Sequence, residues 1–95
     1  MENEEFEWDD EKNESNMRKH GVDFASAVCI FDDVFADYRS DLDAGYGEQR
    51  TLVVGVANGR ILAVVYTERG DRIRLISARK ATKHEQREYY RSQTK

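Results

Sequence analysis

The stretch LVVGVANGRILAVVY, residues 52 to 66, leaves the chain little choice of fold. Asn58-Gly59 divides two runs rich in Val, Ile and Leu, and Asn-Gly is the dipeptide best suited to the two positive-φ positions of a tight hairpin turn. Two antiparallel strands, "EQRTLVVGVA" and "RILAVVYTER", are therefore expected about it. A third, "DRIRLISAR", follows Gly70-Asp71. Val53, Val54, Val56, Ile61, Val64, Val65 and Tyr66 make both faces of the middle strands apolar. Such strands need cover on both sides.

The rest of the chain supplies that cover. "EEFEWDD" reads as a short edge strand, with Phe6 and Trp8 on one face. Asp9 or Asp10 caps a helix over 10–19, and Gly21 suits the left-handed position that closes it. Asp23 caps a second helix over 23–31, with Phe24, Ala27, Val28 and Phe31 as its buried face. "DVFADYRSD" is expected to be a strand leaving that helix. Thr82-Lys83-His84-Glu85 is a capping box that opens a last helix over 82–92. The expected architecture is one α+β domain over 1–95. It has an antiparallel sheet of four to five strands, two N-terminal helices on one face, and the other face left to the C-terminal helix or a partner protein.

No apolar run approaches the ~20 residues needed to cross a membrane, and the acidic start MENEEFEWDDE is the opposite of a secretory signal. Cys29 is the only cysteine, which excludes an internal disulfide and fits a reducing cytoplasm. Within "AVCIF" it is expected to be a small buried hydrophobe. The formal net charge of −4 conceals a division. Eight acidic residues face only Lys12 in the first fourteen positions, whereas residues 50–95 hold eleven Lys or Arg against four acids. Net charge argues against a polyanion partner, and the local charge argues for one.

That positive charge gathers where the third strand meets the last helix. Arg72 and Arg74 alternate with Ile73 and Leu75 and so leave one sheet face, and Arg79 and Lys80 follow at the strand's end. Arginine forks match phosphate oxygens at two points. The same residues also suit a solvated edge with salt bridges to Glu48 or Glu68. Glu48 and Arg50 share a face two residues apart, either as a base with a phosphate clamp or as an idle cross-strand pair. Lys19 and His20 suit a helix C-terminus, and His20 also titrates near neutrality. His20 and His84 lack any metal-binding spacing, so neither a metal site nor another cofactor is expected. One of Tyr89 and Tyr90 should pack on the sheet, leaving the other to stack on a base or donate a proton.

These segments, taken in order, resemble the BrnT family. "FEWDDEKNESNMRKHGVDFASAVCIF" is similar to its N-terminal pattern of F-x-W-D-x-x-K, an Asn, K-H-G-V and a Phe. "GEQRTLVVGVANGRILAVVYTERGDRIRLISARKATKHEQREYY" is similar to the remainder, with G-E-x-R, a valine-rich strand, I-S-A-R-K-A and E-x-x-x-Y. The resemblance implies a RelE-like fold and a ribonuclease toxin of a type II toxin–antitoxin pair. It further implies a BrnA-like antitoxin as partner, RNA as substrate, and contact with operator DNA only through the antitoxin complex. The family's K-H-G falls on Lys19, His20 and Gly21, its G-E-x-R on Glu48 and Arg50, and its I-S-A-R-K-A on Ile76 to Ala81. Metal-free RNA cleavage needs a base for the 2′-hydroxyl, cations for the developing phosphorane charge and an acid for the leaving oxygen. The expected roles are Glu48 or His20 as base, Arg50, Arg72, Arg74 and Arg79 as clamps, and Lys19, Lys80 or Tyr90 as auxiliary groups. A non-catalytic antitoxin-binding or nucleic-acid-binding subunit of an autoregulatory complex is the alternative.

Overall fold

The computed structural model describes residues 5–40 and 49–93. The hairpin is where the sequence puts it. Strand β3 (Thr51–Ala57) and strand β4 (Arg60–Arg69) pair antiparallel, joined by Asn58 at φ 53° and Gly59 at φ 77°. Strand β5 (Arg72–Lys80) pairs antiparallel with β4, and the short β2 (Asp37–Ser40) pairs antiparallel with β3. Strand β1 (Phe6–Glu7) lies against β5 and closes the order β1-β5-β4-β3-β2.

That last pairing is parallel, so the sheet is mixed rather than wholly antiparallel. The cause is the route of the chain. Helix α1 (Asp10–His20) follows β1 and packs along β5, and the chain reaches the sheet again only through β2 at the opposite edge. Asp9 caps α1 by accepting from the Glu11 and Lys12 amides, and Gly21 closes it at φ 67° with its N–H on the Met17 carbonyl.

The second helix departs from expectation. Helix α2 is only Phe24–Ala27, and a 3-10 turn runs on from Val28 to Asp32. The fully buried residues are Phe24, Ala27 and Ile30, which recur every three positions. A three-residue repeat suits a 3-10 turn, whereas the expected set assumed the α-helical period. The turn approaches β3 closely: a Cβ on Gly55 would stand 2.8 Å from Ile30 Cγ1, so only glycine fits there. The same winding leaves Cys29 exposed rather than buried. Residues expected to begin a strand at Asp33 instead form a turn, in which Asp33 accepts from the Phe35 and Val56 amides.

The core lies between the sheet and these N-terminal elements. Val53, Leu62, Val64, Leu75 and Ala78 of the sheet meet Trp8, Val22, Phe24 and Ile30. Phe31 joins it by stacking on Phe6 and Tyr66, with ring centroids 5.2 and 5.3 Å apart. Helix α3 (Lys83–Gln93) begins with the predicted capping box: the Glu85 N–H donates to the Thr82 hydroxyl at 3.1 Å, and the Thr82 N–H donates to Glu85 Oε1 at 2.8 Å. It covers one end of the other face, where Tyr89 packs with Val54, Ala63 and Ala81. No described helix is long and apolar enough to cross a membrane.

Candidate functional site

Strict alternation along β5 would set Arg79 on the opposite face from Arg72 and Arg74. A bulge prevents it. Tyr66 pairs with Leu75 and Val65 with Ser77, so Ile76 is an extra residue with no partner across β4. The insertion shifts the parity of the strand. Arg72 and Arg74 before it and Ser77 and Arg79 after it all leave the same face.

The register arranges that face in rows. Arg69 stands opposite Arg72, Thr67 opposite Arg74, Val65 between Leu52 and Ser77, and Ala63 between Val54 and Arg79. Continuing the β3 pairing back one residue sets Arg50 on the far side of Thr67, where the Thr67 hydroxyl donates to the Gln49 carbonyl at 2.7 Å. Arg50 and Arg74 thus flank Thr67. With strands about 4.8 Å apart, their Cα atoms stand about 10 Å from each other, a span that two long side chains can close on one small anion. The floor between these rows is Leu52, Val65 and buried Thr67.

Helix α3 closes the row at the other end. Arg79 donates two hydrogen bonds to Glu85, at 2.7 and 3.0 Å, and a third to the Lys80 carbonyl at 3.3 Å. The fork pulls the Glu85 carboxyl down to about 2, helped by the Thr82 amide and hydroxyl, and the same bond raises the Arg79 guanidinium. A second latch lies behind the helix, where the Tyr89 hydroxyl donates to Asp33 Oδ2. Burial and that carboxylate push Tyr89 up to about 12. Burial opposes the charge on Asp33, yet bonds from Tyr89, Val56 and Phe35 outweigh it and lower its pKa. Arg74 is engaged too, through one nitrogen on Glu7 at 2.7 Å. The expected surface bridges to Glu48 or Glu68 are thus replaced, for Arg74, by a carboxylate from β1.

The remaining candidates fall into two further places. Lys19 and His20 line a groove between α1 and the outer edge of β5, beside Ile76 and Ser77. Lys80 and exposed Tyr90 line another with Arg60, Ile61 and Gln86, next to the hairpin turn. Eight residues of strand separate Arg72 from Lys80, or about 25 Å, so these groups do not converge on one point. Arg50, Arg72, Arg74 and Arg79 share a face, Lys19 and His20 border its edge, and Lys80 and Tyr90 lie at its far end. Glu48 lies outside the described residues. Sequence reasoning missed Thr67 and Ser77 on the floor and Lys12 in the α1 groove. Lys12 was legible from its spacing of seven to Lys19, two helical turns along one face; Ser77 depended on the bulge.

The chain matches, over residues 8–85, a family model described as ribonuclease toxin, BrnT, of type II toxin-antitoxin system. No curated protein matches it.

Proposed function

Because the chain belongs to the BrnT family of ribonuclease toxins of type II toxin–antitoxin systems, we propose that its arginine-lined sheet face binds RNA and cleaves it without a metal ion. The observation that carries the reading is the row Arg50–Thr67–Arg74, in which the strand register sets two arginines on either side of β4 around a largely buried floor. Such a pair can hold a phosphate and stabilise charge that grows on it during cleavage. Attack by the neighbouring 2′-hydroxyl forms the new P–O bond and expels the 5′-oxygen of the next nucleotide. That accounts for RNA rather than DNA as substrate. In this reading Glu48 takes the proton from the 2′-hydroxyl. Gln49 and Arg50, which follow Glu48 in the chain, sit beside Thr67 in the arginine row.

The arginines do not contribute alike. Arg74 spends one nitrogen on Glu7 and keeps the rest of its fork for phosphate. Arg79 spends both terminal nitrogens on Glu85, so its first task is to tie α3 to β5. A BrnA-like antitoxin, acidic toward this face, neutralises the toxin by covering it, and operator DNA is reached only through that complex. RNA cleavage and antitoxin binding both belong to the cytoplasm. The engagement of Arg74 and Arg79 by carboxylates of the same chain favours a second reading, in which the face is structural and the protein is a non-catalytic subunit.

Purified protein and a labelled RNA decide between them. Cleavage should persist in excess EDTA and stop when the 2′-hydroxyl at the scissile position is replaced by hydrogen. Glu48→Gln should keep RNA affinity and lose cleavage by about a hundredfold, whereas loss of both would assign Glu48 to binding. Intact RNA with folded wild-type protein would establish the non-catalytic subunit.

A further inference from the structure

The groove between α1 and β5 is built from both elements. Lys12, Ser15, Asn16 and Lys19 stand at positions i, i+3, i+4 and i+7, which is one face of a helix. Asn16 fixes that face to the sheet. Its buried amide accepts from the Ala78 N–H at 3.1 Å and donates to the Ala78 and Val22 carbonyls at 2.6 and 3.0 Å. It thereby takes the place of a neighbouring strand on β5, since β1 pairs only with Ile73 and Arg74. Beyond β1 the bulged Ile76 and Ser77 form the opposite wall, and His20 stands with them in a groove of about 230 Å³.

Its charge has one sign. Among the described residues Lys12 and Lys19 line it and no carboxylate does, although α1 also carries Asp10, Glu11 and Glu14. A cation or an apolar ligand would meet two ammonium groups; an oxyanion would meet two ammonium groups and a serine. The groove also opens beside Ser77, which belongs to the row Leu52–Val65–Ser77 next to Arg50 and Arg74. A strand of RNA leaving the arginine row across the edge of β5 arrives there.

We propose that Lys12, Lys19 and Ser15 form a second phosphate subsite, which holds an RNA phosphate at least one nucleotide from the scissile one. The subsite rests on the ribonuclease reading and sets the minimum length of a good substrate. Phosphates bound in series make affinity depend on length and on salt, each neutralised phosphate adding about 0.9 to the salt slope on a duplex and about 0.7 on a single strand. An acidic segment of a protein partner is the competing occupant, but the continuity of this groove with the arginine face favours RNA.

The test uses Lys12→Gln and Lys12→Arg in the full chain, with thermal melting to show that both fold. Affinity is read across salt on an uncleavable 2′-deoxy-substituted strand of about ten nucleotides, and cleavage is read on the all-ribose strand and on a dinucleotide. Lys12→Gln should reduce the salt slope on this single strand by about 0.7. It should also reduce about tenfold the preference in kcat/KM for the longer strand over the dinucleotide, and Lys12→Arg should restore most of both. An unchanged slope and an unchanged preference overturn the subsite while leaving the ribonuclease intact. Absence of cleavage by the wild type overturns the ribonuclease, and the slope on the uncleavable strand still reads the subsite. An unchanged RNA slope with weakened antitoxin binding assigns the groove to the protein partner and overturns the proposal.

Discussion

The two faces of the sheet use the same strands for opposite purposes. On the face covered by α1, α2 and the 3-10 turn, Val53, Leu62, Val64, Leu75 and Ala78 meet Val22, Phe24 and Ile30 with essentially no exposure. On the other, among the described residues, α3 seals only the end at Val54, Ala63 and Tyr89, and the rest is arginine around a floor of Leu52, Val65 and Thr67. A chain of 95 residues buries only about 60–65% of its unfolded surface. It concentrates that burial on one side, which leaves the other free to be polar and open. Stability and function are thereby separable by face, and mutations should separate them.

The largest effect is expected on the helix-covered face. Phe24→Ala removes a fully buried ring that meets Trp8 edge-on at 6.0 Å, and should cost about 3–5 kcal/mol in denaturant unfolding. A cost under about 1 kcal/mol would mean that the face is not the core. On the open face, Arg74→Ala should cut single-turnover RNA cleavage by about a hundredfold, roughly 3 kcal/mol of transition-state stabilisation. Its unfolding free energy should fall by no more than about 1–2 kcal/mol, since the Arg74–Glu7 pair, with side chains 25% and 19% exposed, is still partly solvated and Glu7 can turn to water. The opposite pattern, a large loss of stability with cleavage retained by the folded fraction, would make the two faces alike.

The smallest effect sharpens the boundary between them. Glu85 is held at about 2 against an ordinary 4.5, chiefly by the Arg79 fork. A carboxylate depressed in the folded state contributes stability that is complete above its unfolded value and is lost as pH falls through the folded one. Wild-type protein should therefore lose roughly 1–2 kcal/mol, after allowance for solvent screening, as pH drops from 4.5 toward 2, and Glu85→Gln should lack that component. Equal acid sensitivity of the two proteins would show that the Arg79–Glu85 link contributes nothing to folding, and would return Arg79 wholly to the phosphate clamp.

Much of this was legible in the sequence because it rests on local rules. The Asn58-Gly59 turn, the Asp9 and Thr82 caps and the Gly21 stop depend on a few adjacent residues, and each stands where the residue types require. The family membership was legible for a related reason, since ordered motifs along one chain need no tertiary contact to be read. The gathering of Arg72, Arg74 and Arg79 was visible as charge, and alternation placed the first two together.

Tertiary structure decided the rest. Nothing local marks Ile76 as a bulge. Only the pairing of Val65 with Ser77 and Tyr66 with Leu75 reveals it, and that pairing carries Arg79 to the face of Arg74. The run 24–31 follows a three-residue repeat because Gly55, far along the chain, lets Ile30 approach β3, and Cys29 is exposed in consequence. The partners of the arginines were equally out of reach. Glu7 comes to Arg74 through a parallel pairing of residues 67 positions apart, and Asn16 reaches Ala78 across 62. Sequence fixes short-range geometry through backbone preference. Which carboxylate meets which guanidinium, and which face each side chain takes, follows from long-range register, and register exists only once the sheet is formed.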